Sequence, residues 1–328
     1  MKILVVRFSS IGDIVLTSAV LRSIKDQLPS TKIHFITKKQ FVSLVQENPN
    51  VEKVYAIEKS INERIEELKD EKYDVIIDLH NNIRTFSLKR KLRVKAYSFN
   101  KLNVQKWLLV KLKINRLPKV HVVDRYYDAV KELGVFKDGL PGEFYIHESN
   151  EVDVMSRLGV NAKNYISVGI GAQFATKKMP LRLVENLLKE SPFPVVLIGG
   201  KMDADFANTI CATLTNVNCI NACGEFNLQE SASIVKQSSK LLTNDTGMMH
   251  IGACFGIPII SVWGNTVPDF GMTPYHPEQK ELVSIHEVQG LSCRPCSKIG
   301  YQSCPKKHFN CMNMQSVDAI RKDLFHLE

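Results

Sequence analysis

Apolar residues in this chain fall into short, nearly unbroken runs separated by helical patterns. Lys2–Val6 is the first run. It leads into the turn Ser9-Ser10-Ile11-Gly12-Asp13, and an amphipathic helix is expected from about Ile14 to Leu28. Further runs lie at Ile33–Ile36, Val75–Leu79 and near Ala96–Phe99, with a helical pattern over Ser60–Leu68. Strands without polar alternation are covered on both faces, and their regular exchange with helices predicts a parallel sheet. The pattern weakens from Pro141 to Asn164, which reads as an interdomain linker. A second series then follows: Ile166–Gly169, Val195–Ile198, Leu241–Thr243 and Ile259–Val262. Helices are expected over Leu181–Lys189, Asp203–Leu214, Leu228–Gln237 and, after a Cys-rich loop, Ser316–Leu327. The fold class predicted is α/β, as two doubly wound domains over 1–155 and 156–315. The last helix, 316–328, is expected to pack back on the first domain. No G-x-G-x-x-G follows the first run, so a dinucleotide-dependent dehydrogenase lacks its main support.

Composition narrows the class. The chain has 328 residues, 44% hydrophobic and 23% charged, enough for two cores of ordinary size. No apolar run approaches the ~20 residues of a membrane span. Arg7 and Asp13 interrupt the first apolar stretch, unlike a signal peptide. Eight Cys without an export signal predict a cytoplasmic location. The net charge of +9 is uneven: residues 1–150 hold 27 Lys and Arg against 18 Asp and Glu, residues 151–328 hold 16 against 16. From Leu79 to Val123 there is no acidic residue, while basic side chains run from Arg84 to Lys119 around Trp107, Leu108, Leu109 and Val110. Such a field recruits polyanions, and apolar residues inside it fit an anionic, amphipathic partner. A solvated basic face is the alternative.

The stretch Asn244-Asp245-Thr246-Gly247-Met248-Met249-His250 carries the strongest local signal. A strand runs into a polar turn and a helix opens, so unpaired N–H groups there suit an anion; an ordinary capped helix reads the same way locally. Three segments together resemble the ADP-heptose:lipopolysaccharide heptosyltransferases, glycosyltransferase family 9. They are Arg7 to Thr17 (R-x-S-x-x-G-D-x-x-x-T), Gly171 to Pro180 (G-A-x-W-x-T-K-x-W-P) and Asp245 through Pro258 (D-T-G-x-x-H-x-x-x-A-x-x-x-P, with a slight spacing shift at the alanine). Asp78 to Arg84 and His121 to Tyr126 add further similarity, so the resemblance covers nearly the full length. It implies the GT-B fold, two Rossmann-like domains facing across a cleft. It also implies inverting transfer of a heptose from ADP-heptose to the lipopolysaccharide inner core, on Kdo or heptose. Phe174 and Met179 stand where Trp is usual. Lys201 stands where an acidic residue is often found near the donor ribose, a function that Asp203 could supply.

Sugar transfer needs a base for the acceptor hydroxyl and a counter-charge for the departing diphosphate. Asp13 is the expected base, and the resemblance assigns its position that role; helix capping is the alternative. Ser10, Gly12 and Arg84 are the expected acceptor-side residues. On the donor side, Lys177 and Thr176 are expected at the diphosphate, with Thr246 and Gly247. Asp245 would accept from sugar hydroxyls, and Asp203 and His250 complete the set; His250 also fits a core histidine. Lys178 is expected to point to solvent. No D-x-D pair is obvious for Mg²⁺, so metal-independent or only weakly metal-stimulated catalysis without a cofactor is expected. The expected partners are a nucleotide sugar, an anionic lipopolysaccharide precursor and the inner face of the cytoplasmic membrane, met peripherally by a monomer, with no nucleic acid. A same-fold transferase using another nucleotide sugar or acceptor is one alternative; a non-catalytic polyanion-binding protein is the other. Cys293, Cys296, Cys304 and Cys311 could hold a structural Zn²⁺, or be packing thiols or a redox-labile pair.

Overall fold

The structure is a computed structural model that describes residues 1–325. The chain divides into two compact units. The first comprises Met1–Leu102 and Val120–Tyr145; the second takes Asn103–Lys119 and everything from Ile146 onward. The break thus falls before the boundary expected at residue 155, and a piece of the basic segment belongs with the second unit. Composition alone does not reveal that exchange, because it depends on which core buries Leu109 and Leu117.

The first unit is built on β1 (Lys2–Val6), β2 (Lys32–Lys38), β3 (Lys53–Ile57), β4 (Val75–Asp78) and β5 (Lys95–Ser98). They form a parallel sheet in the order β3-β2-β1-β4-β5, with Ile3 in register with Ile33 and Val75. Every residue of Ile3–Val6 is buried, as a strand covered on both faces requires. The single helix expected after β1 is broken into Ile11–Val15 and Ser18–Gln27. The tighter bond from the Thr17 N–H to the Ile14 carbonyl (2.9 Å), seconded by the Thr17 hydroxyl (2.7 Å), closes the first piece.

The second unit uses β6 (Ile166–Gly169), β7 (Val195–Ile198), β8 (Cys219–Asn221), β9 (Lys240–Asn244), β10 (Ile259–Trp263) and β11 (Val283–Glu287). Its order is β11-β10-β9-β6-β7-β8, again all parallel. Helices Leu181–Leu188, Ala204–Thr213 and Leu228–Gln237 stand where the apolar periodicity put them. The helix Val317–Phe325 buries Ile320 and Leu324 in this unit's own core beside Leu187, Leu242 and Ile260. The remainder of the expected 316–328 helix, residues 326–328, lies outside the described residues.

Close approach fixes two glycines near the site. A Cβ at Gly169 would lie 2.8 Å from Thr243 Oγ1, and one at Gly171 2.8 Å from Asp203 Oδ2. Gly224 has φ +78°, and a Cβ there would meet the Lys201 Cα at 2.8 Å. Gly224→Ala therefore adds a backbone clash to the ~1–2 kcal/mol of left-handed strain. Its Tm should fall by roughly 4–8 °C, and further than for Gly256→Ala, whose φ of +64° has open space around it. Equal thermal shifts for the two would show that the clash carries no weight.

Candidate active site

In each sheet the strand order reverses beside the first strand of the unit: between β1 and β4, and between β6 and β9. Loops leaving the carboxyl ends of such a pair form the ligand crevice of an open α/β sheet. Of the predicted catalytic, donor and acceptor residues, all but Asp203 lie on one of these four loops or on the helix that follows it; Asp203 follows β7.

In the first unit, Ser10 is the N-cap of Ile11–Val15 and Asp13 its third residue. Asp13 Oδ2 accepts from the Ser10 hydroxyl (2.6 Å) and N–H (3.2 Å), and Oδ1 pairs with the Arg7 guanidinium. The Asp13 side chain keeps about a fifth of its surface exposed while Arg7 is buried, so a ligand can reach the carboxylate but not its counterion. Arg7 also donates to the carbonyls of Ser9 (2.8 Å) and Leu79, tying the β1 and β4 loops together. Burial works to lower the Arg7 pKa, but the Asp13 carboxylate holds it above its ordinary value. Gly12 is buried inside the short helix. Arg84, half-buried, lies with its guanidinium 5.4 Å from the Phe8 ring centre.

On the β4 side, Asp78 is fully buried, pairs with Lys89 at 2.8 Å, and accepts from the His80 and Asn81 N–H groups. His80 stacks near Phe8, ring centres 5.1 Å apart, with Nδ1 buried and without a hydrogen-bond partner. Burial, then the charges of Arg7, Lys101 and Arg84, push its pKa down to about 3. His80 is thus neutral at working pH and adds no charge beside Asp13. Between the unfolded value of 6.5 and the folded one, the unfolded chain takes up a proton that the folded chain does not. This contribution to stability is complete above pH ~6.5 and is lost as pH falls toward ~3. By about pH 5 it amounts to a loss of about 2 kcal/mol. His80→Gln should shrink by that amount the stability difference between about pH 7.5 and about pH 5 in urea titrations; an unchanged difference would refute it.

In the second unit the β6 and β9 loops meet through charge. The Lys177 ammonium donates to Asp245 Oδ2 (2.6 Å) and to its carbonyl (3.1 Å), and Thr266 Oγ1 donates to the same Oδ2 at 2.7 Å. Lys177 has three N–H donors, and these contacts use two. Thr246 caps the helix Gly247–Ala253, which buries His250.

The structure revises several expectations. Thr176 is buried; its hydroxyl donates to the Tyr301 carbonyl (3.1 Å) and accepts from the Tyr301 N–H (2.8 Å). Lys178 is not a solvent lysine, because it pairs with Asp203. Asp203, nearly buried, also accepts from the Gly200 N–H at 2.9 Å, so it braces the β7 loop. Asp245 and Lys177, assigned to different parts of a donor, hold each other. Thr266 and Arg7 were missed as site residues. Arg7 stood in the motif that was read; Thr266, after β10, offered no local signal. The four-thiolate cage does not assemble, since among the described residues no group of three or more His, Cys, Asp or Glu is arranged to hold a metal ion. Cys296 instead donates to the Cys293 carbonyl (3.1 Å) and Cys293 Sγ lies 3.9 Å from His308 Nε2. Burial raises the thiols of Cys296 to about 11 and Cys311 to about 12.

The family model for glycosyltransferase family 9 (heptosyltransferase) matches residues 62–301. Lipooligosaccharide heptosyltransferase 2 of Haemophilus influenzae is 23% identical, covering 92% of this chain and 93% of the relative. The Campylobacter jejuni protein of the same name is 27% identical, covering 95% and 93%. A solved glycosyl transferase family 9 structure from Veillonella parvula superposes with a TM-score of 0.77 at 22% identity, covering 98% and 96% of the two chains. The E. coli heptosyltransferase WaaC with ADP gives a TM-score of 0.70 at 18% identity, covering 99% of each. The two parallel-sheet units therefore have the GT-B fold. The chain belongs to glycosyltransferase family 9, the heptosyltransferases.

Proposed function

We propose that this protein transfers a heptose from ADP-heptose to the inner core of lipopolysaccharide, onto a Kdo or heptose residue, with inversion at the anomeric carbon. One observation carries the reading: a part-exposed carboxylate, Asp13, stands on the switch-point loop of one unit, and a lysine with a donor to spare, Lys177, on that of the other. Asp13 accepts the proton of the acceptor hydroxyl as its oxygen bonds to the anomeric carbon. The bond to ADP breaks in the same displacement, and Lys177 offsets the charge gathering on the diphosphate. This scheme needs neither metal nor cofactor. Relatives named for heptose transfer and solved neighbours holding ADP and ADP-2-deoxy-2-fluoro heptose support the donor. The protein is read as a cytoplasmic monomer acting at the inner face of the membrane.

The test is incubation with ADP-heptose and a panel of truncated lipopolysaccharide acceptors, read by mass spectrometry. One added heptose on a core acceptor, with release of ADP, is the expected product. Consumption of UDP- or GDP-sugars in place of ADP-heptose would overturn the donor, and transfer to none of the core acceptors would overturn the acceptor.

A further inference from the structure

We infer that the segment Asn103–Lys119 is an interfacial strap that seats the second unit on an anionic phospholipid surface. It extends the membrane-side reading above and is independent of the donor.

The segment is secured from one side. In the helix Asn103–Leu112, Leu109 is buried against Val267 and Phe270, with Val110 and Leu117 beside it. Beyond the helix, Lys113 donates to the carbonyls of Pro295 (2.7 Å) and Cys293 (3.2 Å), and the Asn115 amide to Asp269 (2.8 Å). These contacts fix which face is left outward.

That outward face is apolar. Val104, Trp107, Leu108 and Leu112 follow the i, i+3, i+4, i+8 spacing of one helical stripe. Val104 is 68% exposed, Trp107 49% and Leu112 53%, and Ile114 just past the helix is 44% exposed. A soluble helix ordinarily turns such a stripe inward; here the inward contact is made by Leu109. Exposed Lys111, Arg116 and Lys119 flank the stripe, and no acidic residue occurs from Leu79 to Val123. An exposed apolar stripe flanked by Lys and Arg is complementary to a bilayer surface with anionic headgroups, where Trp favours the interface and Lys and Arg meet phosphate. The helix is about 15 Å long, and no helix among the described residues is long and apolar enough to cross a membrane. The contact therefore lies in the plane of the interface. Single-stranded nucleic acid fits less well, because it needs successive aromatic platforms and Trp107 is the one aromatic side chain in the segment.

Trp107 supplies the readout. The only other tryptophan, Trp263, is fully buried, so an emission change on binding reports the strap. The full-length protein is mixed with vesicles of phosphatidylcholine containing about 30 mol% phosphatidylglycerol, and with pure phosphatidylcholine vesicles as the uncharged control. The expected result is co-flotation with the anionic vesicles alone, a blue shift of Trp107, and release at high salt. A Lys111→Glu/Lys119→Glu variant should bind at least tenfold more weakly. A Val104→Ser/Leu112→Ser variant, probing the apolar stripe, should lose the blue shift. Circular dichroism and an unchanged Tm rise with ADP-heptose verify that each variant is folded, and keep this test separate from that of the donor. Vesicle binding with unshifted Trp107 emission would overturn the proposal by placing the contact elsewhere. Equal binding by the variants, no binding by wild type, or a blue shift with single-stranded RNA and none with vesicles would also overturn it.

Discussion

Asp13→Asn should lower turnover with ADP-heptose and a core acceptor by ~10²–10⁴-fold, the range expected for loss of a general base. Asparagine keeps one oxygen, toward Arg7, and puts its NH2 where the other oxygen faced Ser10, so it removes proton-accepting capacity with little change of shape. If Asp13 were only a cap, the change would cost about 1 kcal/mol of stability and leave the rate of the folded fraction intact. The structure adds a complication that the sequence did not announce, because Asp13 is also the counterion of buried Arg7. Taking one partner from a buried pair costs ~3–5 kcal/mol, so some thermal destabilisation is expected as well. Rates should be measured well below the variant's Tm and normalised to folded protein. A normalised turnover within tenfold of wild type would remove Asp13 from the chemistry.

Lys177→Met should reduce kcat/KM for the donor by ~10²–10³-fold, comparable to losing one preorganised donor to a developing anion. Charge on the diphosphate grows as the glycosidic bond breaks, so the larger share of the loss belongs in kcat. The substitution also leaves Asp245 with Thr266 as its remaining donor in this trio. Asp245→Asn tests that side: it loosens Lys177 without removing the cation and should cost less. Steady-state kinetics of ADP release separates the cases. A raised donor KM with unchanged kcat for Lys177→Met would mean that the lysine anchors the substrate without assisting departure.

Much of this was legible in the chain. Central strands such as Ile3–Val6, Val195–Ile198 and Leu241–Leu242 are covered on both faces and so appear as unbroken apolar runs. β3, β8 and β11 escaped that reading; all three lie at sheet edges, where exposed or half-exposed positions carry Lys53, Asn221 and His286 and interrupt the apolar run. The loops after β1, β6 and β9 were found because their residues cluster in sequence. What they touch could not be found in the same way. Arg7 reaches Leu79 across 72 positions, and Thr176 engages Tyr301 across 125. Such partners are chosen by packing at long range, and local spacing does not encode it. The cysteines show the converse. Their spacing suited a metal, yet one thiol turned to a nearby carbonyl and another was buried.

The excursion of Asn103–Lys119 has a practical consequence for anyone dividing this enzyme. Severing the chain between Tyr145 and Ile146 would not give two self-sufficient halves. The amino-terminal fragment would carry off Leu109 and Leu117 with nothing to cover them, and the carboxyl-terminal fragment would keep Val267 and Phe270 stripped of their lid. Both pieces would tend to clump, unless mixing them let the borrowed stretch find its seat again.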